Sequence, residues 1–448
     1  AELIAERKAL LDEIDRVAPT VDDKEAAGLL LEYYEVYKEY ERLERIHRCE
    51  VDTYEFALEY FSEHRNPGND GNWDGFDIKT KEEAPNFHVE MTDILDEVST
   101  RKRNAHIAVA APRSHAKSTY YTKDFPIHQT VYRKRKYIIV ISETPSVATA
   151  NMSWIRDQLK RNKKLREDFG PLLSDDKSGN EKDNSEEFIA WHKKPNGEKL
   201  MVALMQAAST GQALRGRNWN AVRPDLIICD DLEDARPGGN ASTPEQRAKL
   251  RDWFAQTVMA LGDPKRAKTA YVVVGTMVHF DSLLMDIVHR RSDFKSKLYQ
   301  AIIREPDRMD LWDQCRAIYV NHENPNRADD AEAFYEAHKE EMLAGSKVLW
   351  EDAQPLWALM KWKWDNGSKA FNTEYMNNPI DEESMIFNPN TFTYWNEHDP
   401  DKTFPHSEYE ITMGIDFAMG KRERGDYSAI VTTARHKQSD VKYIIDAW

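Results

Sequence analysis

Short apolar runs alternate with amphipathic stretches through the middle of the chain, between about residue 85 and residue 300. The runs are rich in Val, Ile and Ala, are bounded by polar or turn-forming residues, and occupy residues 106–110, 137–142, 200–205, 226–229 and 271–275. Uninterrupted apolar runs of this length are typical of strands buried on both faces. Because helical stretches lie between several of the runs, the pattern predicts an α/β fold with a mostly parallel sheet covered by helices.

One of the intervening stretches carries its own helix-start signal. Thr243 can cap a helix, Pro244 fits the first turn, and Gln246 can complete a capping box with Thr243. The sequence therefore predicts a helix over Thr243–Leu261. By contrast, residues 174–198 are strongly charged and are expected to form an exposed insertion.

The amino-terminal region has a helical rather than an alternating pattern. Residues 26–46 place apolar side chains at helical spacing, with Glu, Lys and Arg between them. Gly, Asn and Asp then accumulate over residues 65–83, as in a loop at a boundary. We expect a helical extension over residues 1–83, whose apolar face either packs on the body of the protein or binds a partner.

Downstream of the alternating region the pattern changes twice. Residues 305–370 are helical and rich in tryptophan, which extends the main domain over residues 84–375. Prolines and Asn-Pro pairs over residues 376–408 predict a linker. Three further apolar strands follow, but three strands make a poor independent core. Residues 409–448 are therefore expected to be the beginning of a second, truncated domain.

Charge and cysteine content narrow the possible functions. A net charge of −16 argues against a protein that coats nucleic acid with its whole surface, but it leaves room for a local basic channel. Two basic clusters, Arg101–Arg103 and Arg133–Lys136, either contact DNA backbone or face solvent. The scattered cysteines, Cys49, Cys229 and Cys315, disfavour disulfides and structural zinc and fit a reducing cytosol. No apolar run approaches the roughly 20 residues of a membrane helix.

The strongest chemical signal follows the first apolar run. Residues 111–118, Ala-Pro-Arg-Ser-His-Ala-Lys-Ser, have the spacing of the Walker A motif, G-x-x-x-x-G-K-[ST], with alanine at both glycine positions. In such a loop, N–H groups at a helix N-terminus bind phosphates, the lysine reaches the β- and γ-phosphates, and the hydroxyl ligates Mg²⁺. The predicted ATP-binding residues are Pro112, Arg113, Ser114, His115, Ala116, Lys117, Ser118 and Thr119, with Ser118 as a metal ligand. The alternative is an ordinary strand-to-helix turn with a surface lysine.

Carboxylates end another apolar run. Residues 225–234 read Asp-Leu-Ile-Ile-Cys-Asp-Asp-Leu-Glu-Asp, and a buried strand seldom ends in so many acids without a cation. Asp230 is expected to hold Mg²⁺, and Asp231 to polarise the attacking water. Glu233 is the rival for that second role. The alternative is a solvated acidic turn.

Other residues complete the prediction of an ATPase site. Thr276 ends the last apolar run and is expected beside the nucleotide. Because charge develops on the γ-phosphate, fixed cations are needed, and Arg113 could supply one in cis. Arg215 and Arg217 could act as an arginine finger on a neighbouring subunit, contact DNA phosphates, or face solvent. Residues 87–91 either pack on adenine or simply cover the sheet.

Taken in order, these segments resemble the large terminase subunit of tailed bacteriophages. The resemblance rests on APRSHAKST, ISET, RGRNW, RPDLIICDDLED, VVVGT, FNTEYMNNP and GIDFA, and it covers roughly residues 85–448. It implies an ASCE-type packaging ATPase joined to an RNase H-like nuclease, acting in the cytoplasm of an infected bacterial host. It also implies ATP and Mg²⁺ as cofactors, double-stranded DNA, a portal and a small terminase subunit as partners, and a homo-oligomer when active. The family commonly replaces the Walker A glycines, and it usually has Asp-Glu where this chain has Asp230-Asp231.

The same resemblance implies a nuclease site in the last domain. Asp416, at the end of the first strand of that domain, would be a catalytic metal ligand, and Asp426 a second nearby acid. A two-metal site of Mg²⁺ or Mn²⁺ needs several carboxylates, and the further acids of the family are expected downstream of Trp448. Without the resemblance, an aspartate such as Asp416 reads as structural.

Two other functions stay open. An ATP-dependent helicase or other nucleic-acid remodeller would use the same ATPase core but would bring a second ATPase-like lobe after Glu410. A docking protein whose loop has lost nucleotide binding is the non-enzymatic alternative, motivated by Ala111 and Ala116.

Overall fold

The computed structural model describes residues 2–69, 75–265, 267–379, 393, 395, 403–416 and 429–447. Its strands are β1 (His106–Ala110), β2 (Tyr137–Ser142), β3 (Glu187–Lys193), β4 (Lys199–Ser209), β5 (Leu226–Asp230), β6 (Ala270–Gly275), β7 (Lys295–Leu298), β8 (Ile302–Arg304), β9 (Lys347–Val348), β10 (Tyr409–Asp416), β11 (Ala429–His436) and β12 (Lys442–Ala447). Its α-helices are α1 (Glu2–Val17), α2 (Asp23–Val51), α3 (Thr53–Phe61), α4 (Asn86–Asp96), α5 (Phe125–Val131), α6 (Pro145–Arg161), α7 (Lys163–Phe169), α8 (Pro244–Trp253), α9 (Leu283–His289), α10 (Met309–Tyr319), α11 (Arg327–Leu343), α12 (Leu356–Asn366) and α13 (Ser368–Glu374).

A seven-stranded sheet forms the centre of the fold, in the order β3-β4-β2-β5-β6-β1-β7. All neighbouring pairs are parallel except β3 with β4, which is antiparallel. This confirms the predicted α/β class with its mostly parallel sheet. One strand, β6, lies between the strand that precedes residues 111–118 and the strand that ends in Asp230. Because parallel strands end at a common edge, the predicted residues that follow β1, β5 and β6 lie at the carboxyl edge of this sheet.

Both faces of the sheet are buried, as the uninterrupted apolar runs predict. On β1, Ile107 and Val109 join one hydrophobic core, whereas Ala108 and Ala110 join the other. Successive side chains of a strand point to opposite faces, so a strand buried on both sides must be apolar throughout.

The helical extension packs on the body of the protein over part of its length. Phe56 and Tyr60 of α3 belong to the core on one face of the sheet. Arg45 of α2 donates two hydrogen bonds of 2.8 Å to the buried carboxylate of Asp168, and the Tyr60 hydroxyl donates a third of 2.6 Å. Further toward the start of α2, large apolar side chains such as Leu31 are exposed.

The tryptophan-rich helices form a core of their own. Trp312 of α10, Tyr335 of α11 and Phe371 of α13 are buried in it, together with residues of α12. Tyr335 and Trp357 stack with their ring centroids 4.4 Å apart. The prediction of helices over residues 305–370 agrees with α10–α13.

The prediction of an exposed insertion over residues 174–198 is wrong for its second half. Glu187–Lys193 forms β3, and Phe188, Ile189 and Ala190 are buried at the edge of the sheet. The abundant charges on either side conceal this short apolar run. The predicted helix after Thr243 is present as α8, and its capping box is formed by Thr243 and Gln246 before the helix widens into a π turn over Phe254–Val258.

The last three strands form a separate antiparallel sheet in the order β10-β11-β12. Asp416 is the last residue of β10, pairs in register with Ala429, and is exposed. Asp426 and most of the predicted linker lie outside the described residues.

Candidate functional site

The turn after β1 combines a fixed start with two residues in the left-handed backbone region. The Ala111 N–H donates to the Gly275 carbonyl of β6 at 3.0 Å, which fixes the start of the turn. Ser114 and Ala116 both adopt positive φ angles, of 61° and 59°. This region favours glycine and costs another residue roughly 1–2 kcal/mol. Ala116 therefore takes up the backbone shape of the motif glycine at a local energetic cost.

Lys117 is buried at the start of a helical segment that continues as a π-helix over Thr119–Asp124, with 6% of its surface exposed. Its ammonium nitrogen donates to the Thr276 hydroxyl at 3.0 Å and lies 3.5 Å from an Asp231 carboxylate oxygen. The Thr276 hydroxyl in turn donates to the Ala111 carbonyl at 3.3 Å. A buried ammonium held over the loop in this way is not the surface lysine of an ordinary strand-to-helix turn.

Ser118 and Asp230 meet beside Lys117. The Ser118 hydroxyl donates to a carboxylate oxygen of Asp230 at 3.0 Å. Burial, and then the neighbouring charge of Asp231, raise the pKa of the Asp230 carboxyl to about 7, while Lys117 and Ser118 act in the opposite direction. A hydroxyl and a carboxylate oxygen this close are the hard oxygen donors that Mg²⁺ takes. The two side chains therefore fit the predicted metal site.

Asp231 presents its carboxylate at the open side of the site, where about half of the side chain is exposed. One oxygen accepts the Thr276 N–H at 3.0 Å, and the other faces Lys117. The residue has a positive φ of 44°, which turns the chain sharply after β5. Thr276 thus orients Asp231 and Lys117 together.

Glu233 is directed elsewhere. Its two carboxylate oxygens accept the N–H groups of Leu283 at 2.7 Å and Leu284 at 2.9 Å, at the start of α9. Burial raises its pKa to about 7. A carboxylate at a helix N-terminus satisfies amide groups that would otherwise lack partners. This geometry favours a helix-capping role for Glu233 and leaves Asp231 as the acid beside Lys117.

The three arginines are held in different places. Arg113 forms a two-pronged pair with Glu374 of α13, at 2.5 and 3.1 Å, and its backbone N–H donates to the Glu374 carbonyl at 2.8 Å. Arg215 donates to the Gln256 carbonyl at 3.1 Å, and Arg217 to the Gln206 side chain at 3.0 Å.

An open cavity of about 530 Å³ lies against the loop. Residues 114–120 form one wall, and Phe76, Ile78, His88 and Trp350 contribute others. Of residues 87–91, His88 lines this cavity, whereas Phe87 is buried with its ring centroid 5.8 Å from that of His115; contact with adenine stays a prediction. Sequence reasoning missed Trp350, because a tryptophan far along the chain carries no local signal of its position.

His115 is buried within the loop, at the wall of the cavity. Its Nδ1 atom donates to the Arg113 carbonyl at 2.8 Å. Burial lowers the pKa of its imidazole to about 4, so the ring is neutral near pH 7. Its ring supports the loop, and its backbone N–H remains the group that a phosphate would meet.

The fold and the site define an α/β protein with a phosphate-loop-shaped turn, a buried lysine and paired aspartates at the carboxyl edge of a mostly parallel sheet. Across the described part of the chain, none of the helices combines the length and apolar character needed to cross a membrane.

Among solved structures, the chain is similar to large terminases of phages. The ATPase domain of the Thermus phage P74-26 large terminase shares 11% identity at a TM-score of 0.36, and a mutant of that domain shares 11% at 0.37; each comparison covers 63% of this chain and 90% of that one. The HK97 bacteriophage large terminase shares 12% identity at a TM-score of 0.38, over 89% of this chain and 67% of that one. No protein-family model and no curated protein matches the chain. These values describe a distant likeness of fold, and the chemistry of the site rests on its own residues.

Proposed function

We propose that this chain hydrolyses ATP as the motor of viral DNA packaging, in the manner of a large terminase subunit. The observation that carries the ATPase assignment is the convergence of three residues from separate strand ends. Lys117 contacts both Thr276 and Asp231, although the three follow β1, β6 and β5 respectively. A buried ammonium, a carboxylate and a loop of N–H groups that lie together are the groups expected to bind a triphosphate and to promote its hydrolysis.

Each residue has a distinct part in hydrolysis. The N–H groups of residues 114–118 bind phosphate oxygens at the start of the helix. The Lys117 ammonium neutralises charge on the β- and γ-phosphates, where charge increases in the transition state. Asp231 orients the attacking water and accepts its proton, because it is the exposed carboxylate of the pair. Ser118 and Asp230 would hold Mg²⁺, which supplies further charge neutralisation when bound.

Thr276 is the residue through which the end of β6 responds to the presence of the γ-phosphate. Its hydroxyl contacts Lys117 and the Ala111 carbonyl, and its N–H contacts Asp231. Loss of the γ-phosphate removes the ligand that Lys117 and Asp231 share and so changes the hydrogen bonding at the end of β6.

Arginine is needed to complete the charge neutralisation. Arg113 reaches the γ-phosphate in cis only after it leaves Glu374, to which it is paired. Arg215 is the candidate for a finger in trans, because it is exposed on a loop. Arg217 lies two residues further along the same loop as Arg215. An arginine finger supplied by a neighbouring subunit makes ATP turnover depend on protein concentration.

The assignment to DNA packaging rests on the order of the sequence motifs. It is supported by the antiparallel arrangement of β10, β11 and β12, which suits the start of an RNase H-like domain better than a second ATPase lobe. In this proposal Asp416 is a metal ligand of a nuclease that cuts concatemeric DNA. Double-stranded DNA, a portal and a small terminase subunit are the proposed partners.

Phosphate release by the purified chain tests the ATPase proposal. We expect Lys117→Ala to abolish turnover and a matched change at the exposed Lys249, Lys249→Ala, to leave it unchanged. Equal turnover in wild type and Lys117→Ala would remove Lys117 from the mechanism and favour a docking protein.

A second assay separates a packaging motor from a helicase. A translocase that moves along duplex DNA displaces a third strand from a triplex without separating the duplex. We expect ATP-dependent triplex displacement and an intact duplex, whereas strand separation would favour the helicase.

A further inference from the structure

The amino edge of the sheet, opposite the site of Lys117, is organised around one buried arginine. Arg135 precedes β2 and has 2% of its surface exposed. One guanidinium nitrogen, Nη1, donates to the backbone oxygens of Arg103 at 2.8 Å, Asp225 at 2.7 Å and Lys268 at 2.9 Å. The second nitrogen, Nη2, donates to the Val98 carbonyl at 3.1 Å. A single side chain therefore joins the loops that lead into β1, β5 and β6.

These loops, and the loop before β2 that contains Arg135 itself, carry exposed cations. Arg103, Lys136 and Lys268 are exposed, and none of the three forms an ion pair within the part of the chain that the structure describes. We call these three residues the basic edge. Other exposed cations in the same loops are Arg101, Lys102, Arg133, Arg223 and Lys265.

The acids nearby are engaged with other groups. Asp225 accepts the N–H groups of Lys136 and Tyr137, each at 2.9 Å. Asp263 accepts backbone N–H groups of residues 265 and 267, and Glu97 pairs with Lys102 at 3.0 Å. Within the described residues, these three acids form no ion pair with the cations of the basic edge.

The opposite, carboxyl edge of the sheet carries acids as well as the cations of the candidate site. Acids collect at the carboxyl ends of β2 and β5, where Glu143, Asp230, Asp231, Glu233 and Asp234 lie. The chain as a whole has a net charge of −16. A local cationic surface on such a body attracts a polyanion to one place and leaves the rest of the surface repulsive to it.

We propose that the basic edge binds the phosphate backbone of double-stranded DNA. This inference names the DNA-contact surface of the proposed motor, on which it rests. Lysine and arginine side chains that extend from well-ordered loops neutralise DNA phosphates without recognising the base sequence. Their binding releases counterions from the DNA. A partner protein is the poorer fit, because among the described residues these loops present no large exposed apolar side chain, and protein interfaces rely on such anchors.

The arrangement links DNA to the nucleotide through three short strands. Lys117, Asp231 and Thr276 follow the carboxyl ends of β1, β5 and β6, and the loops that Arg135 joins precede the amino ends of the same strands. The nucleotide site and the loops joined by Arg135 therefore lie at opposite ends of the same three strands.

The test measures binding of the full chain to a random-sequence duplex by fluorescence anisotropy over a range of salt concentrations. The edge variant carries Arg103→Gln, Lys136→Gln and Lys268→Gln. Arg101 and Arg133 are left in place, because Arg101 is the last residue of a π-helical segment and Arg133 follows α5, where a cation also stabilises the helix. The control variant carries Lys24→Gln, Arg65→Gln and Lys249→Gln, which make the same charge change at exposed positions elsewhere.

We expect the edge variant to bind at least about tenfold more weakly, and its plot of log affinity against log salt to flatten by about 2.7, because three phosphates are then no longer neutralised. The control variant is expected to bind as the wild type does. Wild-type affinity and slope in the edge variant would overturn the proposal. So would an equal weakening in both variants, since net charge alone would then explain it, or displacement of the duplex by polyglutamate as readily as by DNA.

ATP hydrolysis in the absence of DNA separates this inference from the proposed function. Both variants are expected to hydrolyse ATP as the wild type does. If the wild type binds DNA through the basic edge but hydrolyses no ATP, the proposed motor function is wrong and the proposed DNA-binding surface is supported. If the wild type hydrolyses ATP but the edge variant binds DNA as tightly as the wild type, the proposed surface is wrong and the ATPase proposal is supported.

Discussion

The ammonium of Lys117 lies 3.0 Å from the hydroxyl of Thr276, and this contact joins the loop after β1 to the end of β6. The same hydroxyl donates to Ala111, and the Thr276 N–H holds Asp231. One residue thus orients the cation and the acid of the proposed ATPase site.

Removing the Thr276 hydroxyl tests this relationship. Thr276→Val keeps the shape of the side chain but leaves a buried ammonium without its acceptor. A hydrogen bond to a charged group is worth roughly 1.5–3 kcal/mol, which corresponds to a fall in turnover of roughly ten- to a hundredfold. Thr276→Ser restores the hydroxyl and is expected to recover most of the activity in a phosphate-release assay. Full activity in Thr276→Val would show that the contact is dispensable.

The two candidate acids predict opposite phenotypes. Asp231→Asn is expected to lower turnover on the order of a hundredfold or more, while ATP binding stays measurable, because it removes a general base. Glu233→Gln is expected to keep turnover but to reduce the free energy of unfolding by about 1–3 kcal/mol, because the cap on α9 is weakened. ATP titrations, phosphate release and urea unfolding measure the three quantities. If Glu233→Gln alone stops turnover, the catalytic acid lies two residues further along.

The pair between Arg113 and Glu374 makes a third prediction. Arg113→Ala is expected to lower turnover on the order of a hundredfold, the usual cost of removing a group that stabilises developing charge. Glu374→Gln is expected to raise turnover, because it releases Arg113 for the γ-phosphate. In an Arg113→Ala background, Glu374→Gln should have no further effect, and this double-mutant cycle is the control. A loss of turnover in Glu374→Gln alone would mean that the carboxylate itself takes part.

Buried histidine makes stability depend on pH. His128 of α5 is fully buried and donates to the carbonyls of Cys49 and Glu50 at the end of α2. Burial lowers the pKa of its imidazole to about 3. Below the ordinary value of about 6.5 the unfolded chain takes up a proton that the folded chain does not, so stability falls as pH falls.

His128→Gln keeps a donor at this position and cannot titrate. We expect the free energy of unfolding in urea to fall less steeply with decreasing pH in this variant, by about 1.4 kcal/mol per pH unit between roughly pH 6 and 4. The slope difference between variant and wild type isolates His128 from the other buried groups that titrate. Identical slopes would show that the imidazole is protonated in the folded protein.

The sequence by itself determined the fold class and the residue types of the site. Apolar runs such as Tyr137–Ser142 had to be strands buried on both faces, because no polar residue interrupts them. The spacing from Ala111 to Ser118 predicted a phosphate-binding turn, and the acids after β5 predicted its metal site. The structure gives that turn the required backbone, with Ala116 at a φ of 59°. The catalytic roles of Asp231 and Arg113 remain predictions.

Only the tertiary structure decided which of these residues meet. Asp231 and Glu233 are equivalent in the sequence, and they differ because the chain turns at Asp231 and sends Glu233 to the start of α9. Arg113 is paired with Glu374 from far along the chain, and Arg135 gathers the loops before three strands into one surface. The local sequence pattern indicates which residues are buried and which backbone conformations they prefer. Contacts between distant segments depend instead on the order of strands in the sheet. That order is set by packing of the whole chain, which no short segment encodes.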